Sequence, residues 1–381
     1  MTTRLTRRQI VQRGAAGVTV LSLPGLLAAC GGGGGGSSSG QVNDVLRFSN
    51  WPLYIDVDEK TKAHPTLDAF TKQSGIEVKY VEDINDNATF FAKIQGPLSQ
   101  GNGVDRDIIV LTDNSRFPAL LVAKGWLEEL DKDKIPNISN LVDVQKSPPF
   151  DPDRTYSLPW QSGMTGIAWN EDVTGPVTSF EQLLNDPKLK GKVTLLTELA
   201  DTVGMAILTD GGDPASFTAD EFDAAIKMIQ KSVDSGQVRQ FTGNDYAQPL
   251  TKGDIGAAVA WSGDVVQLLA DNPKLKWAIP EKGGMIWTDN MLIPQGGSAA
   301  TASTYMNSVY DPKVAAQIAA YVNYVTPVKG AKEELAKTDP ETANNPLIFP
   351  TDEVLSQVHQ FDSEALQNEE YQATWQKVLG A

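Results

Sequence analysis

The chain is expected to fold as an α/β protein of two domains, each built on a doubly wound, mainly parallel sheet with flanking helices. Three observations lead there. At 381 residues the chain exceeds the size at which one hydrophobic core stops growing, and 41% hydrophobic residues can fill two. From Asp44 onward strand-like and helix-like stretches alternate, an order that favours parallel strands joined by helical crossovers. The run "RDIIVLT", 106–112, is unbroken and apolar, as a strand must be when helices cover both its faces.

The elements follow in order. "DVLRFSN" and "IEVKYVED" read as strands, and "PTLDAFTKQSG" between them reads as a helix that a glycine can cap. "ATFFAKIQGPLSQG" is a helix leading into "RDIIVLT", and "ALLVAKG" is the next helix. A second unit begins after "SLPWQSGMTGIAWN" with "FEQLLNDPKLKGKVTLLT", read as helix, loop and strand. In "TADEFDAAIKMIQKSV" Thr218 and Glu221 have capping-box spacing, and Phe222, Ala225, Ile226, Ile229 and Val233 share one face. That stripe is core. "LKWAIPEKG" and "MIWTDNMLIP" are strands, and "DPKVAAQIAAYVNYV" is a long helix. There is no internal repeat and no apolar stretch long enough to cross a bilayer.

The first 30 residues read as an address. The adjacent pair Arg7/Arg8 precedes the apolar run "GAAGVTVLSLPGLLAA" and then Cys30, the single cysteine of the chain. The pair fits a twin-arginine or a general export signal. "LLAAC" looks like a bacterial lipobox, in which the cysteine is acylated and becomes the mature N-terminus. "GGGGGGSSSG", 31–40, is flexible coil with a reach of roughly 17 Å. The folded body is therefore expected to hang from a membrane on a tether.

Charge and residue inventory exclude most chemistries. The formal charge is -16, and the first 29 residues carry four arginines and no acid, so their removal leaves about -20. Such acidity disfavours phosphate backbones and anionic lipid surfaces and favours cationic ligands. Basic residues are scattered, so nucleic acid has no footprint. With two histidines, His64 and His359, and one cysteine, zinc clusters and Ser/His/Asp or Cys/His sets lack parts. Neither a Walker A motif nor a dinucleotide fingerprint is present, and no cofactor is implied.

What remains is the chemistry of carboxylates, aromatics and hydroxyls. "AAVAWSGDVVQ", 257–267, and "GGMIWTDNMLIP", 283–294, each place a tryptophan two or three residues before an aspartate in an apolar run. An indole face and a carboxylate together suit an organic cation. The pairs are Trp261/Asp264 and Trp287/Asp289. Asp264 has an alternative use as a cap for the helix that "DVVQLLA" begins. A receptor for a cation or a sugar uses these groups, and so does a glycosidase with Asp264 and Asp289 as its paired acids.

"LRFSNWPLY", "LEELDKDKIPNISNL", "FDPDRTYSLPW", "AVAWSGDVVQ" and "GGMIWTDNMLIP" resemble, in order and spacing, the spermidine/putrescine-binding proteins of bacterial ABC importers. The likeness covers nearly all of residues 44–381. It implies a two-lobed periplasmic-binding-protein fold of type II, with the chain crossing between lobes near residues 160, 290 and 335. The implied lobes are 44–160 plus 291–333 and 163–288 plus 338–381, following a signal peptide at 1–29 and a lipidated linker at 30–43. The implied role is an exported, lipid-anchored monomer that captures a polyamine or related organic cation and delivers it to an ABC permease. Ligands of other classes on the same fold are a sugar or an amino-acid derivative.

Position by position, Trp51 and Tyr54 match aromatics that line the polyamine slot, and Thr112 matches a serine there. Trp261 and Asp264, Trp287 and Asp289 match aromatic and acid pairs that meet the ligand. Trp126, Trp160, Trp169, Trp277 and Trp375 have no such counterpart and are expected to be packing residues. Departures are equally specific. Asn114 stands where many relatives have an aromatic, and Pro52 and Leu53 replace polar residues. An expected glutamine falls at Gln360 or Phe361. In "LLTELADTV", Leu199 and Thr202 align with two carboxylate positions. Read as a strand, that turn sends Glu198 to the face opposite Leu199 and leaves Asp201 one residue out of register. The expectation is a preference for a short diamine or a monocation over spermidine.

Overall fold

The computed structural model describes residues 41–380 except 59 and 270, so the signal-like segment, Cys30 and the glycine run lie outside the described residues. The strands are β1 Val45–Asn50, β2 Glu77–Glu82, β3 Ile108–Thr112, β4 Ser157–Asn170 and β5 Val193–Leu196. They continue with β6 Val238–Thr242, β7 Ala257–Trp261, β8 Leu275–Ala278, β9 Gly284–Leu292 and β10 Val358–His359. All ten belong to one connected sheet of order β2-β1-β3-β9-β4-β7-β5-β6, with β10 on β9 and β8 on β4.

The two ends of this sheet are parallel and its centre is not. β1 pairs in parallel with β2 and β3, and β5 does so with β6 and β7, as helical crossovers require. Between them β9 runs antiparallel to β3, and β4 antiparallel to β9, β7 and β8. β9 borders one parallel set and β4 the other, and their pairing with each other joins the two. Their register breaks between Pro159 and Ser162, where a bulge takes up Trp160 and Gln161.

All 14 residues of β4 are buried, a strand the sequence pattern conceals because glycines and a proline interrupt its apolar run. The glycines have a reason. Gly163 faces Trp287 across the ladder, and a Cβ there would lie 2.5 Å from the indole, so only glycine lets the ring lie over the strand. Before β4, the carboxylate of Asp151 accepts from the amides of Thr155, Tyr156 and Ser157 and fixes the turn. The buried Arg154 then donates to Ser157 Oγ at 2.9 Å and Asn290 Oδ1 at 2.7 Å, tying β4 to β9.

The helices read from the pattern form, with others the pattern did not mark, among them Leu199–Thr209, Ala299–Val309 and Glu369–Leu379. Pro65–Ser74 closes on Gly75 in the left-handed conformation, and Ala219–Asp234 opens with the Thr218/Glu221 capping box. Phe222, Ala225, Ile226 and Ile229 are buried on its inner face, while Val233 is half-buried. Ser232 takes the interior position instead and donates to Leu184 O at 3.0 Å. No helix of the described residues is long and apolar enough to cross a membrane.

The β6 side of the sheet touches the β2 side directly. The amide of Asn244 donates to Asn85 O at 3.2 Å, and a side chain at Gly243 would collide with that same carbonyl. Arg116 and Glu369 form a further ion pair, from the start of helix Phe117–Ala123 to the start of helix Glu369–Leu379.

Candidate functional site

The carboxyl ends of β1, β3, β5 and β7 all point to one place, as they do at the crevice of open α/β sheets. The loop after β1 brings Trp51 and Tyr54 there, the end of β3 brings Thr112, and the end of β7 brings Trp261 and Asp264. β9, threading between the parallel sets, adds Trp287 and Asp289, which share a face because they are two residues apart. All seven side chains singled out from the sequence line one cavity. None of the five tryptophans expected to be packing residues lines it.

Each acid is held by neutral donors. Pairing of β3 with β9 sets Thr112 opposite Asp289, so Thr112 Oγ1 donates to Asp289 Oδ1 at 2.6 Å, and Tyr54 Oη donates to Oδ2 at 2.7 Å. Asp264 accepts from Asn244 Nδ2 at 2.7 Å, Tyr246 Oη at 2.8 Å and Tyr324 Oη at 2.7 Å. It is therefore not the cap of its helix, which starts at Ser262 without a side-chain cap.

The turn after β5 corrects the sequence reading. β5 stops at Leu196, and helix Leu199–Thr209 begins with Glu198 at its N-cap position. Helical spacing sets Glu198 and Asp201, three apart, on one side, and both line the cavity. Leu199 and Thr202 do not line it, and Thr202 turns to the core, its hydroxyl donating to Leu196 O at 2.7 Å. The strand reading failed because a helix start was missed, although an acid at the third residue of "LADTV" is a first-turn signal. With two acids supplied here, the stated ground for preferring a short ligand is gone.

Asp201 accepts from Thr165 Oγ1 at 2.8 Å, Asn114 Nδ2 at 3.0 Å and Trp261 Nε1 at 3.1 Å. Glu198 accepts from the Asn87 amide at 3.0 Å and Asn87 Nδ2 at 2.8 Å. Four carboxylates thus converge, and no lysine, arginine or histidine is among the described residues lining the cavity. Burial is the leading cause that pushes their pKa values up, to about 8 for Glu198, about 7 for Asp289 and about 6 for Asp201 and Asp264.

Five rings join these acids. Trp51 meets Trp261 edge-on at 5.7 Å, Trp261 meets Trp287 at 6.1 Å, Trp287 meets Tyr324 at 5.7 Å, and Tyr324 meets Tyr54 at 4.9 Å. Three of these contacts are edge-on and that of Trp287 with Tyr324 is tilted, geometries that aromatic pairs prefer. Glu198, Asp201, Asn244 and Tyr324 are lining residues that the sequence did not nominate. Gln360 and Phe361 do not line this cavity and line a second one.

An acceptor-rich, aromatic-walled cavity at a strand-end crevice defines a binding protein for a small charged solute. Residues 66–350 match the bacterial extracellular solute-binding protein family, and the chain belongs to it. It is 28% identical over 342 residues to the spermidine/putrescine-binding periplasmic protein of Escherichia coli K12, covering 89% of this chain and 88% of that protein. It is also 28% identical over 330 residues to a putrescine-binding periplasmic protein of the same organism, with 81% and 84% covered. A solved lipoprotein of Treponema pallidum superimposes with a TM-score of 0.71 at 21% identity, over 89% of this chain and all of that one. The fold is the two-lobed periplasmic-binding fold.

Proposed function

We propose that the protein is the extracytoplasmic, lipid-anchored receptor of an ABC importer and captures a polyamine-type organic cation between its lobes. The observation that carries this is the convergence of four buried carboxylates on aromatic walls with no basic side chain lining the cavity. Burying acids without a cation is costly, so the site is built around one. The curated relatives named above are polyamine binders, which supports the same chemistry.

A diamine at neutral pH is a dication. Its ammonium groups meet carboxylates while its methylenes lie against Trp51, Trp261 and Trp287. Charge-assisted bonds of roughly 1.5–3 kcal/mol each and about 0.8 kcal/mol per buried methylene reach the roughly 8 kcal/mol of micromolar binding after ordering costs. The lobes are 44–160 plus 291–333 and 163–288 plus 338–381, and their closure over the ligand is what a permease reads. Cys30 carries the acyl chains, and the protein acts as a monomer. A sugar needs no acids of this number, and an enzyme using Asp264 and Asp289 needs one of them free to transfer protons, whereas each accepts two or more hydrogen bonds.

Calorimetry with putrescine, spermidine, agmatine and a set of neutral sugars tests this. Saturable binding of an amine is expected, with no heat from the sugars. Sugar binding without amine binding would overturn it.

A further inference from the structure

Asn114 and Asn244 both line the cavity, and each is 8% exposed. Each gives its amide nitrogen to a carboxylate, Asn114 to Asp201 and Asn244 to Asp264. Those bonds fix the orientation of both amides, since a flip would set a carbonyl oxygen against a carboxylate. Their Oδ1 atoms are then buried acceptors, and neither has a hydrogen-bond partner among the described residues. Buried acceptors are rarely left so, and two such oxygens lining one cavity are a specific arrangement.

Building on the cationic reading above, we propose that these two carbonyls select for ammonium ends that keep at least two N–H bonds. At each end of a ligand one N–H meets a carboxylate, Asp201 or Asp264, and a second N–H meets the carbonyl of the asparagine bonded to it. Charge alone does not make this distinction. A quaternary ammonium carries the same charge, and aromatic walls attract it well. It has no N–H, so the asparagine oxygen at that end would stay unpaired in a dry site, and that is the kind of loss by which polar sites reject analogues lacking a donor. The required number is two N–H per end, which a primary or a singly methylated ammonium supplies and a dimethylated one does not.

The test is a methylation series on putrescine, measured by calorimetry on the intact protein: unmodified, N-methyl, N,N-dimethyl and N,N,N-trimethyl. Affinity should change less than threefold on the first methyl and fall at least tenfold on the second. In Asn244→Leu and Asn114→Leu, with folding checked by thermal melt, putrescine should weaken and the step between the first and second methyl should shrink. A smooth decline with each methyl, or no decline, in the unmodified protein would overturn the selection and leave polyamine binding standing. Absence of binding by any member, putrescine included, would instead remove the cationic reading on which the selection rests. Should the leucine variants fail to fold, the series on the unmodified protein decides alone.

Discussion

Asp289 is the acid placed between the strands, held by two hydroxyls and by no cation. Asp289→Asn keeps its shape and removes its charge, so a diamine should bind about 2 kcal/mol or more weaker, roughly thirtyfold in Kd by calorimetry. An unchanged Kd would make the aspartate structural. The raised pKa values give a second outcome. The folded protein holds these carboxyl protons to about 6, 7 and 8, whereas ordinary values are 3.8 for Asp and 4.5 for Glu. Between those limits the folded state binds more protons than the unfolded state, so stability falls as pH rises from about 4 to about 8. The melting temperature of the ligand-free protein should drop over that window. A bound dication reverses the cost, so its stabilising effect should be largest above about pH 8 and shrink toward pH 5. Binding near pH 7 should release protons, visible as a dependence of heat on buffer. The Trp/Asp pairs were legible in sequence because acids are out of place in apolar runs. Asn244 was not, because asparagine beside a glycine has the same pattern as any turn residue, and Asn114 stood out only as a departure from an aromatic.

At the scale of elements, periodicity carried β1, β2, β3, β5, β8 and β9 and helices such as Pro65–Ser74 and Ala219–Asp234, but not β4, β6, β10 or helices Leu199–Thr209, Ala299–Val309 and Glu369–Leu379. β4 was hidden because its glycines serve ring packing and its proline sits at the bulge, so breakers stand inside a buried strand. The start of helix Leu199–Thr209 was missed because "LLTEL" continues the apolar pattern of β5 for three residues after the strand has ended. That boundary decides which acids face the cavity. Leu199→Asp with Thr202→Glu is therefore expected to cost several kcal/mol of stability, read as a lower denaturant midpoint, because both positions are interior. It should not improve spermidine binding. Asp201→Asn should weaken amine binding at least tenfold, or about 1.4 kcal/mol.

For the whole molecule, the tether and the body should separate cleanly. Cys30→Ala is expected to release the protein from membranes while leaving ligand affinity unchanged, since the body is held by its own core from Asp44 on. Fractionation and calorimetry on the same preparation check both halves, and continued membrane retention would end the lipid-anchor reading. The two-domain α/β class was legible from length and alternation alone. The antiparallel centre was not, because it depends on β4 and β9 pairing across more than a hundred residues, and local periodicity carries no record of such pairing.

The contact of Asn244 and Gly243 with Asn85, together with the bonds from Asn87 to Glu198 and from Asn114 to Asp201, sets a clock. The acids and rings of the cavity are all buried, so a ligand enclosed by them exchanges only after those contacts part. Departure then has two stages, a parting of the protein that precedes diffusion out. For ligands that fit, the slow stage belongs to the protein and not to the ligand. Their dissociation rates should crowd toward a shared lower range even where their equilibrium constants spread, and loosening Asn85 would quicken them all together.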